Sequence, residues 1–150
     1  MSVAQDNRQV EMYLFFNSKC EPALEFYRKA LGAEVEMIMR YRESPEPRQP
    51  GSLPPGFEDK VMHASFRVGH TLVMASDGCS AEPQKFQGFS LALSVPNEPE
   101  AGRVFTALSE GGHLLVPLRK TFWSPCFGMV EDRFGVTWIV SVRPAEQKGA

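Results

Sequence analysis

The chain has 150 residues, a formal net charge of −2 and an apolar fraction of 43%. That is enough for one domain, or for two small half-units sharing a core. With no basic block and no long apolar run, nucleic-acid binding and a membrane-spanning helix are both excluded as expectations.

Residues 1–8 are polar and expected to fray. They contain no apolar stretch of the kind a secretory leader needs. Val10 to Phe16 alternates as a strand, with Met12, Leu14 and Phe16 on one side and Glu11, Tyr13 and Phe15 on the other. Asn17-Ser18-Lys19 supplies turn chemistry, and Cys20 to Leu31 carries Ala23, Leu24, Tyr27, Ala30 and Leu31 at helical spacing, with Gly32 as the stop. Ala33 to Tyr41 reads as the second strand. Residues 43–58 hold five prolines and two glycines and are expected to form a loop without a regular element, either a lid or a surface excursion.

Val61 to Val68 and His70 to Ser76 read as a hairpin. Met62, Ala64, Phe66 and Val68 make its apolar face, and His63, Ser65 and Arg67 the other. Asp77 is read as turn chemistry or as a cavity residue. After a polar linker, 78–87, the pattern starts again: a strand from Phe89 to Val95, a helix from about Glu98 to Glu110, a short strand from His113 to Val116, a loop from Pro117 to Pro125, and a hairpin of Cys126 to Glu131 with Val136 to Val142. Asp132 and Arg133 read as turn residues, and the tail, 143–150, as unstructured.

The turn motif Arg133-Phe134-Gly135-Val136-Thr137-Trp138-Ile139 echoes Arg67-Val68-Gly69-His70-Thr71-Leu72-Val73. Further pairs match between the halves: Glu21-Pro22 with Glu98-Pro99, and Ala30-Leu31 with Ala107-Leu108. A signature met twice points to one unit built twice. Each half reads strand, helix, strand, strand, strand, with module 1 at about 10–77 and module 2 at about 88–142. The fold class is therefore α+β: paired βαβββ modules forming a half-open mixed β-sheet barrel. Each sheet has one face for its helix and a concave face left over.

The stretches YLFFNSKCEPALEFYRKALGAE (13–34), MHASFRVGHTLVMASD (62–77) and TFWSPCFGMVEDRFGVTW (121–138) resemble the glyoxalase, bleomycin resistance and extradiol dioxygenase superfamily, the vicinal oxygen chelate proteins, and within it the PhnB-like branch. Some members of that branch carry a label of demethylubiquinone methyltransferase, yet this chain has no Gly-rich nucleotide loop after a strand. The resemblance implies a concave site where superfamily enzymes hold a divalent metal with three or four His and Glu side chains. Carried over by position, those ligands fall near Glu11, at Ser90, at Ile139, and at Val73 or Met74. Glu11 alone suits a hard cation, so no metal site is expected, and no other cofactor.

His63 is the candidate catalytic residue, as general base or hydrogen-bond donor, or else a structural histidine. Tyr13, Phe15, Ser65, Arg67, Trp123 and Phe127 are the candidate ligand-binding residues. Arg67 either clamps a ligand carboxylate or phosphate, pairs with Glu131, or lies on the rim. Trp123, beside Phe122 and Phe127, either stacks on a flat ligand or makes a dimer contact. Trp138 reads as core by parity, and Cys126 as a small buried apolar group. His70 and His113 read as exposed.

The expected function is metal-independent binding of a small organic molecule in the concave cavity. The alternatives are a metal-dependent lyase, isomerase or dioxygenase with atypical ligands such as Glu11 and His63, and a dimeric scaffold with a vestigial cavity. The resemblance, together with strand edges that want cover, implies a homodimer. Three cysteines, Cys20, Cys79 and Cys126, with no CxxC spacing fit reduced thiols in a cytoplasm.

Overall fold

The structure is a computed structural model and describes residues 6–46 and 48–144. The frayed start expected for residues 1–5, Pro47 of the proline-rich loop, and the tail residues 145–150 lie outside the described residues.

Two four-stranded mixed sheets stand side by side and stay open. The first is ordered β1-β4-β3-β2, from β1 (Met12–Phe15), β2 (Glu34–Arg40), β3 (Val61–Val68) and β4 (Thr71–Ser76). The second is ordered β5-β8-β7-β6, from β5 (Leu91–Val95), β6 (His113–Arg119), β7 (Cys126–Glu131) and β8 (Thr137–Val142). In each sheet the first strand pairs parallel with the last and the others pair antiparallel. Helix α1 (Cys20–Leu31) serves the first sheet and α2 (Glu98–Ser109) the second. The repeated strand, helix, three-strand unit read from the sequence is the architecture observed.

The two turn motifs align on the strand that follows them. Thr71 and Thr137 open β4 and β8, and Gly69 and Gly135 sit before them with φ of 57° and 90°. A side chain at either glycine would be strained there. The loops differ in length: Val68 pairs directly with Thr71, whereas Glu131 pairs with Thr137 across a longer turn that holds Asp132 and Arg133.

The helix starts are capped by different means. Asn97 caps α2 locally, its side chain accepting from Glu100 N at 2.9 Å. The turn before α1 bends at Asn17 and Ser18, both with positive φ, but the cap comes from Asp77, far along the chain. The Asp77 carboxylate accepts from Cys20 N at 2.8 Å and from Val61 N at 2.7 Å. Buried to 1% exposure, Asp77 ties α1 to β3, a role beyond turn chemistry.

Several element bounds depart from the sequence reading. β1 starts at Met12 rather than Val10, because its partner β4 supplies a register only from Val73. β5 starts at Leu91, opposite Trp138, rather than at Phe89. β6 continues through Pro117 to Arg119 instead of ending at Val116. It is the outer strand of its sheet, and its pairing with β7 shifts register on both sides of Val116, which accommodates a residue with no backbone donor. The proline-rich loop is bracketed by 3-10 turns at Tyr41–Glu43 and Phe57–Asp59, where a wholly irregular segment was expected. Phe57 is buried with its ring centroid 6.4 Å from that of Tyr41, so apolar contact pins both ends of the loop.

The two halves share one core, and Tyr27 of α1 is its crossing point. Its ring stacks on Phe66 of the first sheet at 5.8 Å and meets Trp138 of the second edge-on at 5.5 Å. Phe16, Phe26 and Phe134 complete the cluster. Trp138 is core, as its parity predicts. One face of each sheet is turned to this core and the other is left open.

Candidate functional site

The alternation of β1 buries Leu14 and Phe16 and leaves Tyr13 and Phe15 at 37% and 45% exposure on the open face of the first sheet. Strand register extends that face. Tyr13 pairs with Met74, Met74 with Ser65, and Ser65 with Met37, so one row of side chains crosses all four strands. His63, two residues before Ser65, pairs with Met39. The Tyr13 hydroxyl lies 2.9 Å from His63 Nδ1, and the Tyr13 and Phe15 rings stack at 4.9 Å with an interplanar angle of 26°. Partial burial pushes the Tyr13 phenol above its ordinary value. Tyr13, Phe15, His63 and Ser65 therefore share one face of the first sheet. Met37, Met39 and Met74 were missed; the period-2 pattern of β2 and β4 was the available signal. They make this a soft, polarisable surface suited to flat rings.

Trp123 and Phe127 form a second cluster, with ring centroids 5.3 Å apart, and Phe122 contacts Trp123 at 4.7 Å. The loop is held by Thr121 and Ser124: Ser124 N donates to Thr121 Oγ1 at 3.0 Å, and Ser124 Oγ donates to Val142 O at 2.6 Å. Phe122 is fully exposed. Trp123 and Phe127 belong to the second half, and among the described residues no ring contact or hydrogen bond joins them to Tyr13 and His63 of the first sheet.

Arg67 pairs with Glu36 of the neighbouring strand, Nε to Oε1 at 2.6 Å, and not with Glu131. The antiparallel pairing of β2 with β3 brings Glu36 beside it, whereas Glu131 belongs to the other sheet. Arg67 also lines a cleft of about 650 Å³, together with Glu11, Met12, His70, Leu91 and Leu93. This cleft lies at the start of β1 and contains none of the other expected ligand-binding residues.

Asp132 is more than a turn residue. Its carboxylate is 2% exposed and accepts from Tyr27 Oη at 2.5 Å, Trp138 Nε1 at 2.9 Å, Phe134 N at 2.8 Å and Val136 N at 3.1 Å. Burial raises its pKa despite these four donors. The role is structural, joining the halves. Cys126 is buried and its thiol is raised by desolvation, the environment of an inert cysteine. His70 and His113 are exposed.

The positions where superfamily enzymes carry metal ligands do not fit a metal here. Val73 faces the core at 5% exposure, so its neighbour Met74 occupies the open face, and Ile139 pairs with Ala92. One carboxylate, a thioether, a hydroxyl and hydrocarbon make a poor donor set for a divalent cation. Among the described residues no group of three or more His, Cys, Asp or Glu is placed to hold an ion.

Comparison with known proteins turns on a family model described as 3-demethylubiquinone-9 3-methyltransferase, which matches residues 8–141. The chain belongs to that family. Protein YjdN of Escherichia coli is 31% identical over 135 residues, covering 87% of this chain and 92% of YjdN. The crystal structure of PA1353 from Pseudomonas aeruginosa is 40% identical with a TM-score of 0.79, covering 91% of this chain and 98% of that one. A Bacillus cereus PhnB protein, itself a putative 3-demethylubiquinone-9 3-methyltransferase by its printed name, is 28% identical with a TM-score of 0.74, covering 90% and 99%. A glyoxalase-related enzyme from Fulvimarina pelagi, 19% identical with a TM-score of 0.55 over 95% and 94%, shares the fold alone. Among the described residues no helix is long and apolar enough to cross a membrane.

Proposed function

We propose that this chain binds a small, flat organic molecule on the open face of its first sheet, without a bound divalent ion. The observation that carries this reading is the Tyr13, Phe15 and His63 cluster. Two stacked aromatic rings and an imidazole stand partly exposed beside a row of methionines, on the face of the first sheet turned away from the core. A mostly apolar surface with one or two polar groups is the composition of ligand sites. The donor set at the superfamily metal positions supports the metal-free form of the reading.

The protein works as a homodimer. In support, the outer strands β2 and β6 expose Val35, Met37, Ile38, Leu114 and Leu115, and outer strands of this kind pair with other chains unless covered. β2 carries Glu34 and Glu36 and β6 carries His113 and Arg119, so β2 of one copy suits β6 of another. A reducing compartment such as the cytoplasm fits the three free cysteines.

The test is a titration of small aromatic compounds into chelator-treated protein, followed by the methyl resonances of Met37, Met39 and Met74. The expected result is saturable shifts confined to these methionines and their neighbours. Saturable shifts confined to the cleft residues Leu91 and Leu93, or none for any compound, would overturn the assignment.

A further inference from the structure

The contact between Tyr13 and His63 bears on which way the imidazole is wired, and with it on the class of ligand. A phenol has one proton to give. The Tyr13 hydroxyl lies within hydrogen-bond reach of Nδ1 of His63, at 2.9 Å, and Ser76 is a second polar neighbour. The phenol oxygen can also accept from an Nδ1–H, so the 2.9 Å contact fits either direction, and Tyr13 is taken here as the donor. An Nδ1 that accepts this bond leaves the proton of the neutral ring on Nε2. Among the described residues Nε2 has no hydrogen-bond partner, and no buried side-chain nitrogen or oxygen is left without one, so Nε2 reaches solvent. It sits on the same open face as the stacked Tyr13 and Phe15 rings, whose centroids are 4.9 Å apart.

We propose that His63 is a specificity-determining donor, presenting Nε2–H to the ligand, and that the ligand is a flat aromatic ring system bearing a carbonyl or carboxylate oxygen. The inference rests on the ligand-binding reading above and narrows it. The rings and methionines take the flat surface, and Nε2–H takes the oxygen. His63 acts as a donor here, not as a general base.

Two measurements test it. The first is long-range proton–nitrogen NMR of the His63 ring in the free protein. It is expected to report the Nε2–H tautomer in the wild type and a mixture of tautomers in Tyr13→Phe. A predominant Nδ1–H tautomer in the wild type would overturn the proposal. The second compares 2-acetylnaphthalene with 2-ethylnaphthalene, which match in size and differ in the oxygen. A hydrogen bond worth about 1.4 kcal/mol makes the ketone bind roughly tenfold tighter. That preference is expected to fall to about one in His63→Leu and to recover in part in His63→Gln, which keeps an N–H donor. Equal affinities in the wild type overturn this inference and leave the ligand-binding reading standing. No saturable binding of either probe overturns both.

Discussion

The hydroxyl of Tyr27, on the first helix, donates a 2.5 Å hydrogen bond to Oδ2 of Asp132, in the turn of the last hairpin. Both groups are buried, and the bond joins the two halves of a duplicated fold. The same oxygen accepts from Trp138 Nε1, so one carboxylate binds the helix of one half to the sheet of the other.

Tyr27→Phe keeps the ring packing and removes this donor, and is expected to cost about 1–3 kcal/mol. Asp132→Asn turns an amide N–H towards groups that themselves donate, and is expected to cost at least as much. Urea unfolding followed by Trp fluorescence measures both. Because the substitutions act on one bond, their effects are expected to fall short of additive in the double variant.

The pH dependence follows from the same carboxyl. Burial raises the Asp132 pKa in the folded state above its unfolded value of about 3.8. The folded state therefore binds this proton more tightly than the unfolded state. The associated stability is fully present below the unfolded value and is lost as pH rises through the folded one. The stability difference between wild type and Asp132→Asn is expected to shrink as pH is raised from acid towards neutrality. Urea midpoints taken across that range check the sign, and a difference that grows with pH contradicts it.

Asp77 gives a separate test of long-range capping. Asp77→Ala leaves Cys20 N and Val61 N without their acceptor in a buried setting, and is expected to cost about 1–3 kcal/mol per orphaned group. Amide exchange is expected to accelerate in the first turn of α1 and at the start of β3 together. Acceleration in the helix alone contradicts the shared role.

Much of this was legible in the chain. The helix from Cys20 to Leu31 and the alternation of Tyr13 with Leu14 follow from local periodicity, and both appear in the structure as read. The Arg-x-Gly-x-Thr echo revealed the duplication because each copy needs a glycine before the strand that follows. Asp132 reads as an ordinary turn residue, and Asp77 as a turn or cavity residue, because their partners, Tyr27 and Val61, are distant in sequence and no local pattern encodes such a contact. The pairing of Arg67 with Glu36 was missed for the same reason: it depends on which strand lies next to β3. β6 outran its expected end because proline tolerance depends on being an outer strand, a property of the sheet rather than of the segment.

The proposed dimer has its own check. Val35→Lys combined with Leu114→Lys places charge on both outer strands while leaving the core untouched. Light scattering at micromolar concentration is expected to give a dimer mass for the wild type and a monomer mass for this variant. A monomeric wild type contradicts the pairing of β2 with β6.

The central claim, a ligand face that needs no metal, is tested most directly by calorimetric titration of 2-acetylnaphthalene into chelator-treated protein, repeated in the presence of excess zinc, manganese or nickel. The account predicts one saturable event per chain with the same affinity under every condition, abolished by Tyr13→Ala together with Phe15→Ala. Binding that appears only once a divalent ion is restored, or that survives loss of both rings, contradicts it.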